Sequence, residues 1–462
     1  MDTFTNRTYD EIEVGQSVSV SRSPTHTELE ALALVSGDVD AFQIEAGAVE
    51  PNGTISAQAV GAEALLSGLI NRRLPGPGSL ILAQDLRFAG KVRLGETVQA
   101  TVTVREKRAD SVLVFDCRVV QKDFELVSGT VTVKAPTRRI AYDVMGTPEL
   151  VLRHNDAFAR LIRRCEGQAP VSCAIVHPCD HDSLLGPLEA AKRGLIIPVL
   201  VGPEAKIRAT AEAAGADISA FRLVATEHSH AAAEMAVAMA RAGEVESLMK
   251  GSLHTDELMS AIVPSATGLR TARRISHVFV MDVPAYPRML LVTDAAVNIS
   301  PSLKVKADIV QNAIDLAQML GVEQPKVAIL AAVETVNPDM PSTIDAAALC
   351  KMADRGQITG GILDGPLAFD NAISEQAART KKIVSPVAGK ADILLVPDLE
   401  AGNMVAKQLQ YLAGADSAGI VLGARVPIVL TSRADNVRSR LASTAVMAIV
   451  AQARRAKVPA AG

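Results

Sequence analysis

Hydrophobic and polar residues alternate strictly along the chain near residue 100. The apolar positions are Val98, Ala100, Val102 and Val104, and the residues between them are polar. This period of two predicts a half-buried antiparallel strand. Similar runs follow at Leu113–Val120 and Leu126–Lys134, while the Ala- and Leu-rich stretch Ser56–Arg72 ends at a Pro/Gly-rich stop. We therefore expect an α+β unit, with one long helix against a curved antiparallel sheet.

The pattern changes after Thr137, where short β-branched runs alternate with Ala-rich helical stretches. This alternation is typical of an α/β domain. The predicted strands are 171–176, 196–201, 247–249, 277–282, 289–293, 327–331, 361–364, 393–396 and 428–431, and the predicted helices include 182–193, 230–242, 307–320 and about 435–455. Active sites of such sheets lie beyond the carboxyl ends of strands, so candidate chemistry is sought there.

Composition narrows the function classes. The net charge of −4, the absence of Trp and the presence of only four Tyr argue against nucleic acid as a partner. The longest apolar stretches, such as Gly194–Gly202, fall short of the ~20 residues that a membrane span needs. The polar N-terminal sequence does not resemble a secretory signal, and the five cysteines suggest free thiols, so we expect a cytoplasmic protein.

The run Ile428–Asp435 combines a buried strand with the start of a helix. A helix N-terminus favours anions, Arg433 adds a bidentate donor, Ser432 adds a hydroxyl and Asp435 adds a carboxylate that can accept a thiol proton. The spacing alone leaves an alternative open, because Ser432 followed three residues later by Asp435 is also an ordinary capping box.

Further polar residues follow other predicted strands. Lys250, His254 and Thr255 come after a short buried run and are candidates for the same cleft, although a lone His is often structural. Asn403 stands near a helix start, where contact with phosphate or pantetheine and N-capping are both open. The His, Cys and Asp residues of 177–182 alternate too closely for a zinc site, so we expect no metal there, with Asp182 or Ser183 capping the next helix.

From about Ala157 to Lys457 the chain resembles the phosphotransacetylase and phosphotransbutyrylase family. Seven segments in family order carry the resemblance: MKGSLHTDELM (249–259), RISHVFVMD (274–282), LLVTDAAVNISP (290–301), KVAILAAVETVNPDMPSTIDA (326–346), GILDGPLAFDNAIS (361–374), VAGKADILLVPDLEAGNM (387–404) and VLTSRAD (429–435). The resemblance implies two α/β subdomains with a cleft, as in isocitrate and isopropylmalate dehydrogenases. It also implies direct acyl transfer between coenzyme A and phosphate, which are substrates, with no permanently bound cofactor.

The resemblance assigns roles to residues. Ser432 and Arg433 match the pair that contacts the transferring acyl group in the acetyl branch, and Lys250, His254, Thr255 and Asn403 become candidates for binding coenzyme A or phosphate. The sequence departs from the acetyl branch where Arg433 is followed by Ala434 and Asp435, as in the butyryl branch. Asp435 as the thiol base is therefore a hypothesis, and acetyl and butyryl both stay open.

Residues from about 8 to 136 resemble the MaoC-like hotdog family, which includes (R)-specific enoyl-CoA hydratases. The resembling segments are YDEIEVGQ (9–16), TELEALALVSGDVDAF (27–42), LPGPGSLI (74–81) and LRFAGKVRLGETV (86–98). Asp38 matches the catalytic Asp of the hydratase motif, but Gln43 replaces its His. Gln cannot exchange a proton near neutral pH, so we expect a degenerate hydratase site.

These observations predict a hotdog domain over residues 1–136, a linker over 137–156 and a phosphate acetyl/butyryltransferase domain over 157–462. Both resemblances imply a homodimer or a higher homo-oligomer. Two alternatives remain for the N-terminal domain: a working hydratase, which would make the enzyme bifunctional, or a module for acyl-CoA binding or assembly. A nicotinamide-dependent dehydrogenase is disfavoured because the chain contains no Gly-x-Gly-x-x-Gly.

Overall fold

A computed structural model describes residues 3–23, 25, 28, 31, 56–58, 60–93, 96–143, 157–431 and 437–457. The chain forms two compact units, Met1–Leu152 and Arg153–Gly462. Among the described residues, no helix combines the length and the apolar character that crossing a membrane requires.

The described part of the N-terminal unit contains nine strands, one α-helix and one 3₁₀ turn. In chain order these are β1 (Thr3–Thr5), the 3₁₀ turn (Tyr9–Glu11), β2 (Ser17–Arg22), β3 (Ser56–Gln58), α1 (Val60–Arg72), β4 (Leu80–Phe88), β5 (Lys91–Arg93), β6 (Val98–Arg108), β7 (Val112–Gln121), β8 (Phe124–Lys134) and β9 (Ala141–Asp143). The main sheet has the antiparallel order β2-β6-β7-β8-β4, while β1 pairs with β9 and β3 pairs with β5.

The alternation near residue 100 places one face of β6 in the core. Its apolar side chains are at most 1% exposed, and Leu66, Leu69 and Ile70 of α1 belong to the same core. This agrees with the prediction of a helix against an antiparallel sheet. The predicted start of the helix was wrong: Ser56–Gln58 pairs with Lys91–Arg93, so the helix begins at Val60.

The C-terminal unit alternates strands and helices. Its elements are α2 (Ala157–Cys165), β10 (Val171–Val176), α3 (His181–Lys192), β11 (Ile196–Gly202), α4 (Glu204–Ala213), β12 (Arg222–Ala225), α5 (Ser229–Ala242), β13 (Ser247–Lys250), α6 (Thr255–Ile262), β14 (Ser276–Asp282), β15 (Leu290–Thr293), α7 (Leu303–Met319), β16 (Lys326–Leu330), α8 (Pro341–Asp354), β17 (Ile362–Leu367), α9 (Phe369–Ile373), α10 (Glu375–Thr380), β18 (Ile393–Leu395), α11 (Leu399–Tyr411), β19 (Asp416–Leu422), β20 (Ile428–Val429) and α12 (Val437–Lys457).

One mixed sheet of eleven strands runs through this unit in the order β12-β11-β10-β13-β20-β19-β14-β15-β18-β16-β17. Strands β10 to β13 and β20 are mutually parallel, and β19 is antiparallel to both of its neighbours. Successive residues of β10 enter different cores: Cys173 and Ile175 join one, while Ala174 and Val176 join another. The sheet is therefore covered on both faces, which explains why most of its strands are continuous apolar runs.

The predicted α/β strands all correspond to strands of this sheet, with ends shifted by up to three residues. The predicted strand 428–431 is shorter, because its ladder ends at Val429. Two strands were missed. β12 has four residues, of which two are exposed, and β19 begins with the polar pair Asp416 and Ser417, so neither shows a clear apolar run.

Candidate active site

The predicted trio Ser432, Arg433 and Asp435 lies outside the described residues, as do Asp38 and Gln43 of the degenerate hydratase motif. The described residues that flank the trio in the chain are Thr431, which follows β20, and Val437, which begins α12.

Two buried cations meet at Thr431. Lys250 ends β13, which is the parallel neighbour of β20, and is 2% exposed; its Nζ donates to the Thr431 carbonyl oxygen at 3.4 Å. Arg440 in the first turns of α12 is 1% exposed, and its Nη1 donates to Thr431 Oγ1 at 2.8 Å and to the Lys250 carbonyl oxygen at 3.5 Å. Burying charged groups is costly unless they are bonded, so these contacts indicate a structured cationic centre.

Close backbone packing makes room for this centre. A Cβ on Gly186 of α3 would lie 2.9 Å from Cβ and Cδ of Arg440, so glycine allows the arginine side chain to pass. A Cβ on Gly251, just after β13, would lie 2.4 Å from the Val176 carbonyl oxygen. The loops after β10 and β13 can therefore run side by side, joined by a hydrogen bond from Gly251 N to Val176 O at 2.9 Å.

The loop after β10 adds a carboxylate to the same edge. Asp180 caps α3 by accepting from Ser183 N at 2.8 Å, which corrects the prediction that Asp182 or Ser183 is the cap. Burial acts to raise the pKa of Asp180, but hydrogen bonds from Ser183 and Ser252 and the positive charge of Arg440 outweigh burial and lower it. Within the described residues, no cluster of three or more His, Cys, Asp or Glu side chains is arranged to hold a metal ion.

His254 and Thr255 stand at the start of α6, four and five residues beyond Lys250. His254 is the N-cap residue and is exposed, and its backbone N donates to Glu257 Oε2 at 2.7 Å. Thr255 is the first helical residue and is partly buried. Both residues are thus connected by a short loop to the edge that carries Lys250, where they remain candidates for ligand contact.

Asn403 belongs to a different cluster. It lies inside α11, which begins at Leu399 and is capped by Asp398, so the N-cap alternative for Asn403 was wrong. Its Nδ2 donates to the Ala295 carbonyl oxygen at 3.3 Å, just after β15. The adjacent Asp294 is 2% exposed and accepts from three backbone N–H groups and from Asn298 Nδ2 at 2.6 Å.

A buried histidine lies between the two clusters. His277 on β14 is 1% exposed, and neither ring nitrogen meets hydrogen-bond geometry. Burial lowers its pKa to about 4, against the raising influence of the Asp294 carboxylate and of the Leu430 backbone. A Cβ on Gly419 would meet both the Leu430 carbonyl oxygen and His277 Nε2, at 2.4 and 3.0 Å. His277 is therefore a neutral imidazole beside the strand that leads to Ser432.

Sequence reasoning missed Arg440, Asp180 and His277. Arg440 carried no clear signal, because it stands beside Arg438 and Ser439 in a polar part of its helix. No sequence signal marked His277 either. The five cysteines form no disulfide, and burial raises the pKa of Cys179, the one in the loop after β10, to about 11, so its thiol is not activated.

Known proteins are similar to this chain over its C-terminal unit. Residues 225–448 match the family described as Phosphate acetyl/butaryl transferase. A phosphate acetyltransferase of Rhizobium meliloti is 64% identical over 299 residues, which cover 65% of this chain and 95% of the relative. A phosphate butyryltransferase of Clostridium acetobutylicum is 40% identical over 295 residues, covering 64% and 98%. A solved structure of a branched-chain phosphotransacylase from Enterococcus faecalis V583 superposes with a TM-score of 0.54 at 30% identity, covering 61% of this chain and 99% of that one.

Proposed function

Because the chain belongs to the phosphate acetyl/butyryl transferase family and is a phosphate acyltransferase, we propose that acetyl is the group that it transfers between coenzyme A and inorganic phosphate. The observation that carries this choice is the 64% identity to a phosphate acetyltransferase over nearly its whole length, against 40% to a phosphate butyryltransferase. The butyryl-like Arg433-Ala434-Asp435 order is the feature that the acetyl assignment has to accommodate.

Ser432 and Arg433 are proposed to contact the acyl group. When phosphate attacks the thioester, a C–O bond forms, negative charge develops on the carbonyl oxygen, and the C–S bond then breaks to release coenzyme A. The Arg433 guanidinium and the Ser432 hydroxyl would donate to that oxygen or to phosphate. In the reverse direction the thiol must lose its proton, and Asp435 is the proposed base, because a free thiol with a pKa of about 8.5 is largely protonated near neutral pH.

Lys250 and Arg440 are proposed to support these steps through their contacts with Thr431. Both contact Thr431, the residue before Ser432, and their charges favour a multiply charged anion at the strand end. Arg440 is a positioning residue in this proposal, because its Nη1 donates to Thr431 Oγ1 next to Ser432. His254, Thr255 and Asn403 are proposed contacts for coenzyme A or phosphate, with Asn403 reaching the substrate from the second cluster.

Two measurements test the proposal. We expect a higher kcat/KM with acetyl-CoA than with butyryl-CoA, each with phosphate and followed by loss of thioester absorbance; the opposite ranking would contradict acetyl as the preferred group. We expect Arg433→Ala to lower turnover by ~10²- to 10³-fold with an unchanged thermal midpoint. Arg193→Ala, at the exposed arginine that follows α3, is the matched control. Parental turnover in the Arg433 variant would refute its role.

For the N-terminal unit we propose a MaoC-like hotdog fold without hydratase activity. The helix α1 against a five-stranded antiparallel sheet supports the fold, and the replacement of the motif histidine by Gln43 supports the loss of activity. The unit would instead bind acyl-CoA or help assembly. Hydration of crotonyl-CoA at an ordinary hydratase rate, abolished by Asp38→Asn, would favour the bifunctional alternative.

A homo-oligomer and a cytoplasmic location stay predictions. Sedimentation of the full chain and of a chain without residues 1–136 would show whether the N-terminal unit contributes to assembly. A mass that falls to that of a monomer in the shortened chain would assign assembly to the N-terminal unit, and an unchanged number of subunits would exclude it.

A further inference from the structure

A cavity of about 370 Å³ opens in the C-terminal unit, within the ~300–1,000 Å³ typical of small-molecule sites. Its wall combines the loop before β14, one face of α7, the segment that follows β19 and the end of α12. The charged side chains among its described lining residues are Arg273, Asp315, Arg425 and Arg454. Among the described lining residues, three guanidinium groups thus face one carboxylate.

The single carboxylate is already engaged. Asp315 forms an ion pair with Arg273 and also accepts from Gln311 Nε2 at 2.9 Å. Arg454 is partly buried, and its Nη1 donates to two carbonyl oxygens, those of Ala424 at 3.3 Å and Arg425 at 2.9 Å. Carbonyl groups satisfy hydrogen bonds but do not neutralise a charge, so two positive charges at this wall lack a neighbouring negative one among the described lining residues.

The cavity is separate from the candidate active site. The cavity lies at the Leu422 end of β19. If the antiparallel register between β19 and β20 is continued beyond Val429, Thr431 lies opposite Ala418. Four residues of strand separate the two levels, which is about 13 Å along the sheet. The anion site beside Ser432 and Arg433 therefore does not explain the arginines of the cavity.

We propose that this cavity binds a small anion with two or more carboxylate or phosphate groups. Arg425 is exposed and Arg273 and Arg454 are partly buried, so the three can approach a ligand from the opening and from the wall. The fork of an arginine matches carboxylate and phosphate oxygens in pairs, which favours a polyanion over a neutral metabolite. Thr271 and Asn312 add polar groups to the lining.

Calorimetric titration of the full chain with citrate and with pyrophosphate at low ionic strength tests the site. We expect both probes to bind, and we expect Arg425→Gln to weaken the binding of at least one by roughly tenfold or more. Asp315→Asn should tighten binding, because it frees Arg273; a gain of affinity cannot come from misfolding. Binding should also weaken as salt is added.

Two controls separate this site from others. Arg208→Gln removes the same charge at an exposed position of α4, and Arg433→Ala alters the proposed active site; both should bind a probe as the parent does. The proposal is overturned if neither probe binds at millimolar concentration, if Arg425→Gln binds both as tightly as the parent, or if only the Arg433 variant loses binding. Selective binding of citrate or of pyrophosphate would identify the ligand as a carboxylate or a phosphate.

Discussion

Thr431→Val separates the contribution of one hydroxyl from that of its surroundings. The two side chains have the same shape, but Val cannot accept the 2.8 Å hydrogen bond from Arg440 Nη1. Thr431 is 3% exposed and Arg440 is 1% exposed, so water does not readily replace the lost partner. A hydrogen bond that involves a charged group contributes about 1.5–3 kcal/mol, and we expect the unfolding free energy to fall by that amount.

Thr431→Ser is the matched control. Serine keeps the hydroxyl and loses one buried methyl group, which costs about 1 kcal/mol. The valine variant should therefore unfold at lower urea than the serine variant. Valine should also lower turnover by ~10-fold or more, because Thr431 is joined directly to Ser432 and a small misplacement of reacting groups is costly.

The assay combines urea unfolding, followed by far-UV circular dichroism, with turnover of acetyl-CoA and phosphate. If Thr431→Val is as stable as Thr431→Ser, the bond from Arg440 does not hold the strand end. If valine is destabilised but keeps parental turnover, Arg440 is a structural residue and its proposed positioning role is wrong.

Three further predictions use the same unfolding assay. Burial lowers the pKa of His277 to about 4, against 6.5 in the unfolded chain, so the unfolded chain binds a proton before the folded protein does as the pH falls. The free energy of unfolding should therefore be unaffected by this group above pH 6.5 and should fall by about 2 kcal/mol from pH 7 to pH 5. His277→Gln should lack this pH-dependent contribution. Asp180→Ala should cost about 1 kcal/mol through the lost helix cap, and Asp180→Asn should retain most of it. Gly186→Ala should cost about 1–3 kcal/mol by crowding Arg440, whereas Gly68→Ala, with no atom within 4 Å of the new Cβ, should not destabilise the chain.

The local sequence pattern was sufficient to predict a strand where the residues of that segment alone determine its secondary structure. Strands that are covered on both faces must be largely apolar throughout, so β10 and β14 were predictable from short runs of residues. The same reasoning failed for β19, where Asp416 and Ser417 open a strand whose remaining residues are buried. Its position between two antiparallel neighbours depends on segments more than a hundred residues apart, which no local window contains.

The residues of the candidate site likewise divide into those that the local sequence predicts and those that it does not. Lys250 was predictable because it stands at the end of a buried strand, and the ends of parallel strands converge on one edge of the sheet. Arg440 was not, because its environment depends on Gly186 and Thr431, which lie on other elements. Asn403 was predicted near a helix start, but the cap is Asp398, five residues earlier, and only the backbone shows which polar residue accepts the first N–H bonds.

The position of β19 and β20 also affects how the C-terminal unit folds during synthesis. They occupy the middle of the sheet, between β13 and β14, yet they are its last strands to be synthesised. Until residues 416–429 leave the ribosome, β13 and β14 each have one unpaired edge, and such edges invite pairing with other chains. Closing the sheet requires contacts between distant parts of the chain, which slows folding. A nascent or truncated chain that ends before residue 416 is therefore expected to be a client of chaperones and prone to aggregate.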